Sequence, residues 1–314
     1  MGSNHVSRGK VIDEIRRRVI SWEREHWVAY PWRLDRTPYK VLIAELLLKR
    51  TTRQAVLREF PKFVQRFPDF SAISTAPVEA LEDSLRHLGL YRQRAKHLKE
   101  LAEVIVKRYG GKVPDKWEDL IALPGVGIYL AGAVLSFGYG RKAPVLDSNV
   151  VRLLSRLTGV KAKRYEEYLK LLWELVPDEE HEYFNYGLID LGALVCHYKQ
   201  PRCRSCPLRE FCVQYLESIG ENSAAGRSAR RVPDDKLGSR RLLGQAGRAR
   251  GGGQLQGREQ VQRVEGAAAG WGAREAGERD SSNVAGRSGL LLLLRSWHGQ
   301  RDGRRQPDLP REQR

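Results

Sequence analysis

The sequence predicts an all-α fold for its first 220 residues or so. Three observations predict it. Segment after segment repeats apolar residues at helical spacing, no stretch shows a convincing period of two, and Pro and Gly fall between the segments.

The first helix runs from Val11 to about Trp27, with Ile15, Val19 and Trp22 on one face and Arg16, Arg17 and Arg24 elsewhere. Tyr30-Pro31-Trp32-Arg33 breaks it. Thr37-Pro38-Tyr39 opens the next helix, because proline suits a first turn where its missing N–H has no partner to lose. That helix carries Val41, Leu42, Ile43, Leu46, Leu47 and Leu48 and should be buried nearly all round. Glu45 sits in its middle, where an unpaired charge is costly. It is either a structural carboxylate accepting hydrogen bonds or part of a substrate pocket. Lys49 to Arg53 ends the helix in a basic turn suited to a polyanion.

From Ala55 to Gly110 the pattern is helix, turn, helix, with breaks expected at Pro61, Pro68, Pro77 and Gly89. Leu88-Gly89-Leu90-Tyr91 sets two large apolar residues beside a glycine, ahead of a helix bearing Arg94, Lys96 and Lys99. An apolar wedge flanked by cations suits insertion into a base stack, and core packing after a helix end is the plainer alternative.

The stretch from Leu123 to Asp147 organises the rest. Leu123-Pro124-Gly125-Val126-Gly127 is a breaker cluster between a short helix, Trp117 to Leu123, and an apolar one, Ile128 to Phe137, stopped by Gly138 and Gly140. Such a hairpin leaves backbone N–H groups at the second helix's start, where the dipole favours phosphate, although an ordinary helical hairpin would read the same. Asp147 opens Asp147-Ser148-Asn149-Val150-Val151-Arg152, an N-cap followed by an amphipathic helix. A fixed carboxylate there could also stabilise the cation formed when a glycosidic bond breaks, and the two roles are compatible.

Helices then run through Leu157, from about Arg164 to Val176, and from Tyr183 to Val195. The last leads into all four cysteines, Cys196, Cys203, Cys206 and Cys212, spaced C-x6-C-x2-C-x5-C. Four thiolates in one short loop can hold a tetrahedral zinc or a [4Fe-4S] cluster, and spacing alone leaves both open.

Composition sets the outer limits. The formal net charge of +17 over 314 residues points to a polyanionic partner, most simply nucleic acid. No apolar run reaches the roughly eighteen residues of a membrane span, and the N-terminus lacks a signal peptide's apolar core. No membrane partner and an intracellular, cytoplasmic location are therefore expected. From Glu221 onward there is no Ile, Phe or Tyr and only one lysine, Lys236. Such a segment cannot bury a core, so residues 219–314 are expected to form a disordered Arg/Gly-rich tail.

Together, LPGVGIYLAGAVLSFG, VLDSNV and the cysteine spacing resemble the helix-hairpin-helix, catalytic aspartate and iron–sulfur loop of the endonuclease III superfamily of DNA glycosylases. The likeness covers roughly residues 10–215. PWRLDRTPYKVLIAELLLKRTT and the tyrosine of PGVGIYLAGA look most like the archaeal mismatch-specific thymine/uracil DNA glycosylases.

The resemblance implies two domains. One is a six-helix barrel over residues 33–140, with the helix-hairpin-helix at 117–138. The other is a cluster domain over residues 141–218, with residues 1–32 joined to it and a [4Fe-4S] cluster on the loop 196–212. It implies catalysis by Asp147, with Tyr129 and Glu45 lining the base pocket, and DNA contacts from Gly125, Val126 and Gly127. Arg50 and Leu90 match positions that fill the gap left in the duplex. Cys196, Cys203, Cys206 and Cys212 become the cluster ligands.

Bifunctional glycosylase/lyases of this superfamily place a lysine where this chain has Tyr129, and a phenol cannot form their imine intermediate. The resemblance therefore implies a monofunctional enzyme that acts on double-stranded DNA containing a mismatched or damaged base and leaves an abasic site, and a monomer is the default expectation. An adenine glycosylase acting opposite 8-oxoguanine is the alternative within the superfamily. A non-catalytic, cluster-bearing DNA-binding module is the alternative from another class.

Overall fold

A computed structural model describes residues 8–162 and 164–228, with side chains described as far as 220. Thirteen α-helices follow one another, and no strand occurs among the described residues. They are α1 (Arg8–His26), α2 (Pro31–Leu34), α3 (Pro38–Leu48), α4 (Arg53–Arg66), α5 (Phe70–Thr75), α6 (Val78–Leu85), α7 (Tyr91–Tyr109), α8 (Trp117–Ile121), α9 (Ile128–Ala133), α10 (Ser148–Thr158), α11 (Tyr165–Leu175), α12 (His181–Leu194) and α13 (Val213–Ser228). A π turn, Val134–Gly138, extends α9, and a 3-10 turn, Cys203–Ser205, lies between the cysteines. None of the described helices is long and apolar enough to cross a membrane.

Local chemistry fixes several helix starts. Thr37, Thr52, Asp69 and Asp147 each accept a hydrogen bond from a backbone N–H three residues on, satisfying a donor that would otherwise have no partner. Pro61 does not break the chain as expected, because α4 runs through it. Val56, Phe60 and Phe63 bury one continuous face of that helix, while Pro61 and Leu57, whose carbonyl loses its usual α-helical donor to the proline, lie on the exposed side. Tertiary packing outweighs the lost hydrogen bond. At the C-terminal end, α13 carries helix to Ser228, about ten residues into the segment expected as tail, and the remainder of that segment lies outside the described residues.

Two hydrophobic cores divide the described chain. One gathers residues of α2 to α9 and the π turn with Val145 and Tyr186, centred on Leu42, Ile43, Phe63, Phe70 and Phe137. The other joins α1 to α10, α11, α12 and Leu208, so that Val11, Ile15 and Val19 pack against the C-terminal half of the chain. Small residues permit the closest approaches. A Cβ on Gly187 of α12 would stand 2.7 Å from Val19 of α1, and one on Gly132 of α9 would stand 1.9 Å from the Pro144 carbonyl oxygen. The segment around Ala143 to Asp147 thus passes from one core to the other, and Asp147 emerges at their junction.

Candidate active site

Asp147 caps α10 and is held rigidly. Its Oδ1 accepts from the Val150 N–H at 2.7 Å and its Oδ2 from Asn149 Nδ2 at 2.8 Å. The half-buried carboxylate is held in one orientation, as electrostatic stabilisation of a cation requires. Asn149 is in turn gripped by Arg152, which also donates to the Cys196 carbonyl at 2.8 Å.

Glu45 and Tyr129, 84 residues apart in sequence, meet in a hydrogen bond of 2.7 Å from the phenol to Glu45 Oε2. Glu45 is 6% exposed. Burial pushes its carboxyl up to about 6, against the opposing pull of the Tyr129 hydroxyl and Arg33, and the charge of Asp147 adds to the rise. Burial also raises the Tyr129 phenol well above its ordinary value, with Glu45 and Asp147 acting in the same direction. The three side chains therefore share one field, in which burial favours the protonated forms of Glu45 and Tyr129. Such a pairing of carboxyls in unlike environments is what separates an acid from an electrostatic partner.

The hairpin between α8 and α9 turns at Gly125, whose φ of 73° is open to glycine at little cost. Lys49 donates to the Gly125 carbonyl at 3.1 Å and ties the hairpin to the end of α3. A Cβ at Gly127 would meet nothing within 4 Å, so the backbone there is open to a phosphate. Val126 is only 5% exposed and packs into the core around Leu42, Ile43 and Phe137, leaving its backbone alone for any DNA contact.

Arg50 and Leu90 lie in two neighbouring turns, and both adopt left-handed backbone, at φ 55° and 60°. Residues with a Cβ pay about 1–2 kcal/mol for that conformation. Leu90 is 55% exposed, which removes the core-packing alternative for this side chain, whereas Leu88 beside it is buried.

The four cysteines are all partly buried, and none is disulfide-bonded. Burial pushes Cys206 up to about 11 and raises Cys203 and Cys212, and in each case the charges of the neighbouring cysteines add to the rise. Arg156 donates to Cys196 Sγ at 3.4 Å. As they stand, no three or more His, Cys, Asp or Glu side chains among the described residues are grouped to hold a metal ion.

Several residues escaped the sequence reading. Arg33 is buried and donates to Glu23 at 3.2 Å and to Asp190 at 2.7 Å, and Arg53 donates to the other oxygen of Asp190 at 2.6 Å. Arg53, whose side chain is 33% exposed, is thus tied to a buried carboxylate. Arg33 also lies over the ring of Tyr186, 4.3 Å from its centroid, and Tyr186 stacks on Phe137 at 3.8 Å. Glu23 Oε2 has no hydrogen-bond partner, and burial followed by the charge of Asp190 pushes this carboxyl up to about 8. The one signal in the sequence was charge inside apolar runs, as at Asp190 within Gly187 to Leu194.

The family model for the HhH-GPD superfamily of base excision DNA repair proteins matches residues 43–178. A thymine-DNA glycosylase of Aeropyrum pernix is 39% identical over 213 residues, which cover 65% of this chain and 95% of that relative. A thymine/uracil-DNA glycosylase of Methanothermobacter thermautotrophicus is 38% identical over 59% of this chain and 86% of its own. An adenine DNA glycosylase of Buchnera aphidicola is 35% identical, but only 54% of its length is covered. Among solved structures, a thermostable thymine-DNA glycosylase superposes with a TM-score of 0.64 at 33% identity, covering 67% of this chain and 98% of that one. An endonuclease III bound non-covalently to DNA gives 0.57 at 27% identity, with the same two shares covered.

Proposed function

Because the chain belongs to the HhH-GPD superfamily of base excision DNA repair proteins, we propose that it is a DNA glycosylase releasing thymine or uracil mispaired with guanine. The observation that carries the chemistry is the constellation of Glu45, Tyr129 and Asp147 where the two cores meet. The hairpin backbone at Gly125 to Gly127 holds the phosphates of duplex DNA, and the target nucleotide turns out of the stack into the pocket beside Glu45. A mismatched base is the cheapest to extrude. Arg50 and Leu90 occupy the space it leaves.

In the pocket, protonated Glu45 assists departure of the base as a general acid, and Tyr129 fixes its orientation. Asp147 stabilises the sugar cation and orients the attacking water. Tyr129 carries no amine, so no imine forms and the product is an abasic site, which makes the enzyme monofunctional. Release of adenine opposite 8-oxoguanine is the weaker reading, since the chain spans about half of the adenine glycosylase it matches and nearly the whole of the thymine-DNA glycosylase.

Cys196, Cys203, Cys206 and Cys212 are assigned to a [4Fe-4S] cluster. Four cysteines within one loop, each partly buried, and the Arg156 contact to Cys196 Sγ fit a thiolate cluster. When bound, it supplies thiolate bonds that brace the loop beneath α10. The chain acts as a monomer on this reading.

The test is base release from duplexes carrying G·T, G·U, A·8-oxoguanine or G·C, with and without alkali. Cleavage of the T or U strand only after alkali is expected. Release of adenine alone, or strand cutting without alkali, would overturn the proposal.

A further inference from the structure

We propose that Arg94 is a positioning residue for duplex opening: its guanidinium holds Arg50 and Leu90, on two separate turns, at one fixed spacing. The inference rests on the reading that these two side chains enter the duplex.

The geometry is specific to the two wedges. Arg94 Nε donates to the Gly89 carbonyl at 2.7 Å, immediately before Leu90. One terminal nitrogen donates to the Leu46 carbonyl at 2.7 Å, at the end of α3. The other reaches the Lys49 carbonyl and the Thr51 hydroxyl, the latter at 2.6 Å, so it grips the residues on both sides of Arg50. The backbone N–H of Arg94 closes the set by donating to the Leu90 carbonyl at 3.0 Å. A guanidinium presents its donors in a rigid planar fork, so bonds to two turns fix their mutual placement as well as their existence.

What this serves is visible in the backbone. Arg50 and Leu90 are two of the three non-glycine residues with positive φ among those described, and they flank this one side chain. Leu90 in that conformation leaves 55% of its surface exposed. The strained turns are therefore held for what they present outward, in keeping with strain maintained at functional sites. Lys49, whose carbonyl Arg94 grips, also holds the Gly125 carbonyl, so the same link reaches the phosphate-facing hairpin. All of these contacts with Arg94 go to carbonyl and hydroxyl oxygens.

The experiment measures single-turnover uracil release by the full-length protein carrying Arg94→Met or Arg94→Lys. One duplex has the uracil opposite guanine, and a second has it opposite an abasic gap, where extrusion costs little. The expected loss for Arg94→Met is at least about tenfold greater on the paired duplex than on the unopposed one. In a Leu90→Ala background the same substitution should add less than about twofold, because residues that act as one unit are not additive. Arg94→Lys keeps the charge without the fork and should reproduce the discrimination between substrates even if Arg94→Met folds poorly. Equal losses on both duplexes, or full additivity with Leu90→Ala, would overturn the proposal. A wild-type protein that releases no base from either duplex would instead sink the functional reading, and this inference with it.

Discussion

Glu45→Gln separates the energetic cost of the pocket from its chemistry. Glu45 is buried against the core of α3, and its carboxyl is raised from 4.5 to about 6. The gap between those values corresponds to roughly 2 kcal/mol. Because the folded value is the higher one, the stabilising contribution is complete below about pH 4.5 and is lost as pH rises through about 6. Glutamine keeps the shape and an oxygen to accept from Tyr129, but it does not titrate. The advantage of the variant in unfolding free energy should therefore grow by about 1 kcal/mol between about pH 5 and about pH 8. Urea unfolding of both proteins at the two pH values measures it. A difference that stays flat, or that shrinks toward alkaline pH, would refute the idea that burial governs this carboxyl. The wild-type base-release rate should fall above about pH 6, where this acid deprotonates, and the variant should lack that fall.

Asp147→Asn should bind mismatch DNA as the wild type does and lose base release by at least about a hundredfold, with little change in melting temperature because asparagine caps a helix as well as aspartate. Turnover near the wild-type rate would remove Asp147 from the mechanism. Tyr129→Lys places an amine where lyases of the superfamily carry theirs and should permit an imine with the sugar, seen as a covalent adduct on borohydride trapping. No adduct would show that a lysine there does not reach the sugar. Gly132→Ala sets a Cβ where the Pro144 carbonyl oxygen lies 1.9 Å away. A loss of at least about 3 kcal/mol in thermal or chemical unfolding is expected, and a neutral variant would mean that the approach of the Asp147 strap to α9 is looser than described.

Much of the architecture was legible because it is written in short-range chemistry. Helical periodicity, the Pro-Gly hairpin, the cap at Asp147 and the cysteine spacing each depend on residues within a turn or two of one another. Pro61 shows where that logic fails, since a local breaker was overruled by a buried face that local spacing alone could not weigh. Arg53 likewise bonds Asp190, 137 residues away, a partner that its own turn could not reveal.

The sequence by itself determined an all-α chain with a Pro-Gly hairpin, a capped aspartate and four cysteines in one loop. Only the tertiary structure decided that Glu45 bonds Tyr129, that Arg33 joins Glu23 to Asp190, and that Arg94 binds the turns of Arg50 and Leu90 together. The reason is physical. A residue's propensity and cap are fixed by its neighbours in the chain, whereas its burial, its pKa and its distant hydrogen-bond partners exist only once the helices have packed.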